Sequence, residues 1–315
     1  MIPYATRTHP GLHREANEDS YTVDEELGLW IVADGLGGHS DGEVASALAC
    51  DVICRDIRDG ASLQSAIAHA HRAVLEEIER QGARQSQDRD ASANLDPSDK
   101  DTRSEENSGA MGTTVVVLRV IDSHYEIAWV GDSRAYLFDG HLRRLTADHS
   151  AVNELLEKGV IDARKAANHP QRHALSRSLG VSERNTSAAE VVSGKLKPGH
   201  QILLCSDGLT DELDDAEILG ALRINETPDA QAEALQRAAL ESGGRDNITL
   251  LIVGAPASRR EHKHKESSSL DTTQDVSGHA AGTAQRRPSS RMGFVLLTLT
   301  LILTAAAVAA LNHLL

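Results

Sequence analysis

Three short runs in this chain are apolar at almost every position: LWIVA at 29–33, QILLC at 201–205 and ITLLIV at 248–253. Runs of strand length with no polar alternation read as strands buried on both faces, which requires a layer of structure on each side. Each run also abuts an aspartate. Asp34 follows the first run. Asp207 follows the second after Ser206, and Asp246 stands two residues before the third. A carboxylate has no place inside an apolar strand, so these acids belong at strand ends. In an antiparallel sheet the C-end of one strand lies beside the N-end of its neighbour. Asp34 and Asp207 at C-ends and Asp246 at an N-end are therefore candidates for one rim.

The rest of the chain supplies the layers. Ala45, Ala49, Ile53 and Ile57 recur every four residues and predict a helix over 42–58. Leu63, Ile67, Ala70, Val74 and Ile78 predict a second, with Ser62 as its N-cap. The segments 113–120 and 124–130 are β-rich and closely joined. Those at 135–138 and 141–145 flank Asp139-Gly140, a hairpin signal. Ser150 caps a short helix ending before Gly159, and Thr227-Pro228 opens one that stops near Gly243-Gly244. Close hairpins point to antiparallel sheets, and early and late helices to outer covers. The expected fold is α+β, a four-layer α-β-β-α sandwich with the acidic site at one rim.

Residues 1–255 read as this compact part. Residues 81–110 are polar and charged, with almost no large apolar side chain, and read as a surface loop insertion. Residues 256–292 are Ser-, His- and Arg-rich and read as a disordered linker. After Arg291 no charged residue appears, and residues 293–312 are almost wholly apolar, the length and character of a transmembrane helix. Arg286, Arg287 and Arg291 precede that span, so the positive-inside tendency keeps the rest of the chain in the cytoplasm, tethered by a single pass to the inner membrane. The net charge of −15 argues against nucleic acid as a partner. Three cysteines, Cys50, Cys54 and Cys205, form no disulfide framework.

Several carboxylates gathered in one place repel unless a cation sits among them. Oxygen ligands suit hard ions such as Mg²⁺ or Mn²⁺ rather than zinc. Gly35 beside Asp34 permits a tight turn and a carbonyl ligand, and Gly208 follows Asp207 in the same way. The motifs around these acids, in order, are Arg14-x-x-Asn17-Glu18-Asp19-Ser20, Ala33-Asp34-Gly35-Leu36-Gly37-Gly38-His39, Gly112-Thr113-Thr114 and Val130-Gly131-Asp132-Ser133-Arg134-Ala135-Tyr136. They continue through Leu145-Thr146-x-Asp148-His149-Ser150, Ser178-Leu179-Gly180, Leu204-Cys205-Ser206-Asp207-Gly208-Leu209 and Gly244-x-Asp246-Asn247-Ile248-Thr249. This ordered set resembles the metal-dependent protein serine/threonine phosphatases of the protein phosphatase 2C type, in their bacterial form, over about residues 7–254.

The resemblance implies hydrolysis of phosphoserine and phosphothreonine in proteins by a metal-activated water, without a phosphoenzyme. It implies two Mn²⁺ or Mg²⁺ ions and a possible third. Asp34 would bridge the pair, Asp207 and Asp246 would complete one site, and the Gly35 carbonyl would bind the other with Asp19 and Glu18 acting through water. Asp132 would join Asp207 at the third ion, and Arg14 would clamp the substrate phosphate. Phosphorylated proteins are the implied partners, with a serine/threonine kinase as counterpart. Leu36 stands where many eukaryotic relatives carry a histidine and donates no proton; His39 is the nearest histidine in sequence. The segment 151–185 corresponds to the family's flap. A different class, a membrane-tethered phosphoprotein-binding scaffold without turnover, shares every feature except turnover itself. A two-metal nuclease is disfavoured by the acidity.

Overall fold

The structure, a computed structural model, describes residues 2–37, 41–92, 111–162, 165–166, 169–171, 174–181 and 188–255. These lie in one unit of the chain, residues 1–264; residues 265–315 form a second and fall wholly outside the described residues.

Strands β1 (Tyr4–His9), β2 (Ser20–Asp24), β3 (Leu29–Ala33) and β4 (Gly35–Leu36) precede two helices, α1 (Asp41–Arg58) and α2 (Leu63–Ser92). Then come β5 (Gly112–Thr113), β6 (Val115–Ile121), β7 (His124–Val130), β8 (Arg134–Phe138), β9 (Leu142–Arg144) and helix α3 (Ala151–Glu157). The chain continues through β10 (Glu190–Lys195), β11 (Gln201–Cys205), α4 (Asp207–Thr210), α5 (Asp215–Ile224), α6 (Pro228–Ser242) and β12 (Ile248–Gly254). One five-stranded sheet has the order β1-β12-β11-β8-β9 and the other β10-β7-β6-β3-β2, while β4 and β5 pair by themselves. All the paired strands are antiparallel.

The two-residue side-chain period of the strands separates the core into three slabs. Leu29, Ile31 and Ala33 of β3 pack with Ala49, Ile53, Ile67 and Ala70 of α1 and α2. The alternate residues Trp30 and Val32 meet Ile202, Leu204, Leu251 and Val253 of the facing sheet. On that sheet's far side, Leu203, Cys205, Leu250 and Ile252 pack against Ile218 and Leu222 of α5 and Leu235 and Ala239 of α6. Helix, sheet, sheet, helix is the expected α+β sandwich. With only 3% aromatic residues the slabs are built mainly from aliphatic side chains around a few such as Trp30 and Trp129, each buried Val, Leu or Ile stabilising by roughly 1.5–3 kcal/mol.

The anticipated caps are present. Ser62 Oγ accepts the Ser65 N–H at 3.2 Å, Ser150 Oγ accepts that of Asn153 at 3.2 Å, and Thr227 Oγ1 accepts that of Ala230 at 3.2 Å. One boundary is corrected. The polar segment expected to leave the fold as a loop at residue 81 instead prolongs α2 to Ser92. Its Gln, Arg and Ala residues are good helix formers, and lack of apolar residues does not by itself end a helix. The remainder of the insertion, 93–110, lies outside the described residues. So do the linker and the span at 293–312; among the described residues no helix is long and apolar enough to cross a membrane.

Candidate active site

Register brings the acids together. β2 pairs β3 with Ser20 opposite Ala33, so Asp19 and Asp34 are neighbours just past the paired residues. β11 pairs β12 with Cys205 opposite Leu250, and the Ser206 N–H donates to the Thr249 carbonyl at 2.9 Å. Asp207, the first residue of α4, therefore lies beside the turn that carries Asp246. Asp132 sits in the short crossing from β7 in one sheet to β8 in the other. Antiparallel pairing thus delivers all five aspartates to one end of both sheets.

Their electrostatics are those of a crowd. Burial pushes the Asp34 carboxyl well above the usual carboxylate range, and the charges of Asp19, Asp207, Asp132 and Asp246 add to it. Asp207 is likewise raised by burial, then by Asp132, Asp211, Asp246 and Asp19. Asp19 is pushed up to about 7 by burial, against hydrogen bonds from Thr249 and Ser206. Asp132 is pushed up to about 7 by burial and the charge of Asp148. Asp19 Oδ2 accepts from Ser206 Oγ at 2.9 Å, while its Oδ1 is buried without a hydrogen-bond partner. Buried carboxylates without counter-charge are costly, and an orphaned buried oxygen more so. A hard divalent cation relieves both, so the donor set fits Mg²⁺ or Mn²⁺.

As placed, the acids do not form a closed cage: among the described residues no three His, Cys, Asp or Glu side chains converge tightly enough to hold an ion. Protein partners hold two of the acids. Asp19 leans on Ser206, and Asp246 Oδ2 accepts from Arg14 Nη2 at 2.7 Å. Arg14, expected as the phosphate clamp, is thus at the rim and about half exposed, paired with one of the five acids.

The backbone around the acids is tightly specified. A Cβ on Gly35 would stand 2.3 Å from the Gly42 carbonyl oxygen and 2.5 Å from that of Glu18, so no larger residue fits there. Rather than a free turn, Gly35 opens β4 and pairs with Thr113. The Asp34 carbonyl accepts from the Thr114 N–H and from Thr113 Oγ1, both at 2.8 Å, and its N–H meets Thr114 Oγ1 at 3.3 Å. Glu18 donates its N–H to Asn247 Oδ1 at 2.8 Å and accepts from Ser46 Oγ at 2.6 Å.

Several supporting residues were not anticipated in these roles. Asn247 Nδ2 donates to the carbonyls of Pro10 and Ala16, both at 2.9 Å, and so staples the segment bearing Arg14, Glu18 and Asp19 to β12. The signal was its place directly after Asp246, on an amide able to donate and accept at once. The acidic run 211–217 divides. Asp214 and Glu217 form a capping box on α5. Glu212 instead buries its carboxylate against Arg245, accepting from its N–H and Nε at 2.9 Å and from Nη2 at 3.2 Å. It ties the end of α4 to the turn carrying Asp246. Cys205 is buried and its thiol pushed up to about 12, which keeps it protonated. His39 lies outside the described residues.

Residues 13–242 match the family model described as protein phosphatase 2C. The chain belongs to that family. It is 37% identical over 251 residues to the serine/threonine phosphatase stp of Listeria monocytogenes, covering 78% of this chain and 93% of that protein. Its fold is similar to the crystal structure of the Mycobacterium tuberculosis serine/threonine phosphatase PstP/Ppp, with a TM-score of 0.65, 32% identity and coverage of 81% of this chain and 99% of that one. It is also similar to the PstP catalytic domain solved with two manganese ions, with a TM-score of 0.62, 31% identity and coverage of 81% and 99%.

Proposed function

We propose that this protein phosphatase 2C family member hydrolyses phosphoserine and phosphothreonine in proteins and that its aspartate rim holds divalent metal ions for that reaction. The observation that carries the reading is the gathering of Asp19, Asp34, Asp132, Asp207 and Asp246 at one end of both sheets, where desolvation and their neighbours' charges push the Asp34 and Asp207 carboxyls well up. The names of the relatives and the two manganese ions of the PstP domain support it.

In this reading Asp34, Asp207 and Asp246, with the Gly35 carbonyl and with Asp19 and Glu18 acting through water, would hold two Mn²⁺ or Mg²⁺ ions, and Asp132 with Asp207 would hold a third. When bound, such ions supply a water that ionises near neutral pH and neutralise charge on the phosphoryl oxygens. The chain's residues do the remainder. Arg14 pairs with Asp246 until a phosphate draws its planar fork away and is oriented by it. Cys205 offers no competing nucleophile, because it is sealed in β11 as a thiol.

The sequence alone supports a tether. Residues 293–312 anchor the chain by one pass in the cytoplasmic membrane, and the linker at 256–292 holds the catalytic part in the cytoplasm, near a membrane-bound serine/threonine kinase and its substrates. A protease-protection assay on membrane vesicles tests this; protection of the catalytic part in inside-out vesicles overturns the orientation.

The deciding experiment is steady-state release of phosphate from a phosphothreonine peptide with Mn²⁺ or Mg²⁺. Wild type turns over, and either chelator or Asp34→Asn abolishes release. Phosphopeptide binding without release in wild type establishes the scaffold instead.

A further inference from the structure

His149 belongs to none of the roles assigned so far, yet it is 4% exposed and uses every polar atom it has. Its Nδ1 accepts the Gly131 N–H at 3.0 Å, and its Nε2 meets Glu190 Oε1 at 3.1 Å. Its own N–H donates to the Gly131 carbonyl at 2.9 Å, and its carbonyl accepts from the Ser176 N–H at 2.8 Å. The ring stacks on Trp129 with centroids 6.1 Å apart and planes 19° off parallel. Gly131 is therefore held at both its N–H and its carbonyl by a single residue. From the other side, a Cβ on Gly131 would stand 2.5 Å from Thr114 Cβ, and its φ of +109° admits only glycine without strain. The next residue is Asp132.

We infer that His149 is a positioning residue that fixes Asp132 on the rim by pinning Gly131, and that it does so only as the neutral Nε2–H tautomer. This rests on the proposed role of Asp132 at the metal-binding rim. A backbone N–H has only a proton to offer, so Nδ1 must be the unprotonated nitrogen, and the proton is left to Nε2, where Glu190 accepts it. The groups facing the ring favour that state. Burial and the Arg177 guanidinium, which shares Glu190 Oε1 at 3.2 Å, oppose a second proton, while Glu190 and Asp148 act the other way; the balance lowers the imidazole pKa. The Ser176 bond and the antiparallel bridge of Ser150 with Leu175 make the same residue a pin between the Asp132 crossing and the segment 174–179.

Two substitutions separate the two ring nitrogens. His149→Asn keeps an acceptor near the Nδ1 position and loses the reach to Glu190. His149→Gln keeps a donor near Nε2 and loses the acceptor for Gly131. Calorimetric Mn²⁺ titration is expected to show the weakest step shifted about tenfold to higher concentration in His149→Gln, the order of one lost buried hydrogen bond, with His149→Asn closer to wild type. The Mn²⁺ dependence of kcat shifts in parallel, while KM for the phosphopeptide stays constant. Superimposable isotherms for wild type and His149→Gln overturn the inference. Absence of Mn²⁺ binding in wild type overturns instead the reading of the rim. Should His149→Gln not fold, nitrogen-15 NMR of wild type still decides: an Nε2–H imidazole upholds the inference, and an Nδ1–H or doubly protonated ring at neutral pH refutes it.

Discussion

The same strands end in opposite ways at the two ends of the sandwich. Opposite the rim, where Gln201 pairs with Phe138 and Gly254, a network of side chains is bonded within the protein, although His200 Nδ1 is buried without a partner. Gln231 Nε2 donates to Gln201 Oε1, Leu222 O and Asn225 O, and Gln201 Nε2 returns a bond to Gln231 Oε1 at 2.8 Å. Arg223 puts Nε and Nη2 on the carbonyl of Gly140, in the β8–β9 turn. At the rim five aspartates share one end of the sheets; Arg14 pairs with Asp246, and Arg134, whose charge also acts on Asp132, is bonded to Asp148. One end is built to be stable by itself and the other to be stabilised by something added. That asymmetry locates the chemistry more sharply than any single motif, because marginally stable proteins tolerate such conflict mainly where function requires it.

The largest expected effect is at the rim. Asp34→Asn or Asp207→Asn should lower kcat/KM for a phosphothreonine peptide by roughly 10³-fold or more, if each removes a ligand of the ion pair. The same substitutions should raise the melting temperature in chelator by about 2–4 °C, since each removes a carboxyl that the metal-free fold accommodates only by binding a proton. Loss of activity with a falling melting temperature would mean that the acids hold the fold together rather than strain it. Arg14→Ala comes next, with kcat/KM down about 10²-fold and Mn²⁺ affinity little changed, as for a lost phosphate donor. At the other end, Gln231→Ala should cost about 1–3 kcal/mol in denaturant titrations and leave kcat/KM and the Mn²⁺ midpoint unchanged.

The smallest expected effect is a dependence on pH. Folded, Asp19 and Asp132 hold their protons up to about pH 7; unfolded, an aspartate releases its proton near the ordinary value of about 4. Between those limits the folded chain binds more protons, so stability falls as pH rises through the window. In chelator the melting temperature should therefore be lower at pH 8 than at pH 5.5. Asp24, Asp56 and Glu212 are shifted the other way by their partners, and their contributions are lost as pH falls below the usual carboxylate range. Saturating Mn²⁺ should flatten or reverse the trend above pH 6.

Most of the layered fold was legible because its central strands and covering helices carry strong periodic signals. LWIVA and ITLLIV announce burial without help from neighbours, and the Ser62, Ser150 and Thr227 caps fix three helix starts. Among the edge strands β9 was legible through its Asp139-Gly140 hairpin signal, whereas β1, β2 and β10 were not. β10 (EVVSGK) contains a serine and a glycine and owes its conformation to pairing with β7, which no local pattern encodes. The end of α2 was misplaced because polarity was taken for loop. At the site, the acids were legible as strand-end aspartates. The residues that hold them, Asn247, Ser206, Glu212 and His149, were not legible in those roles, since each acts across more than ten residues of sequence through a bond that only the folded register creates.

The most direct test of the account is calorimetric titration of Mn²⁺ into metal-stripped protein, wild type beside Asp207→Asn. The account predicts at least two ions per wild-type chain, with protons released on binding at pH 6 and fewer ions bound by the variant. Stoichiometry and affinity unchanged by Asp207→Asn, or no binding to wild type at millimolar Mn²⁺, would contradict it.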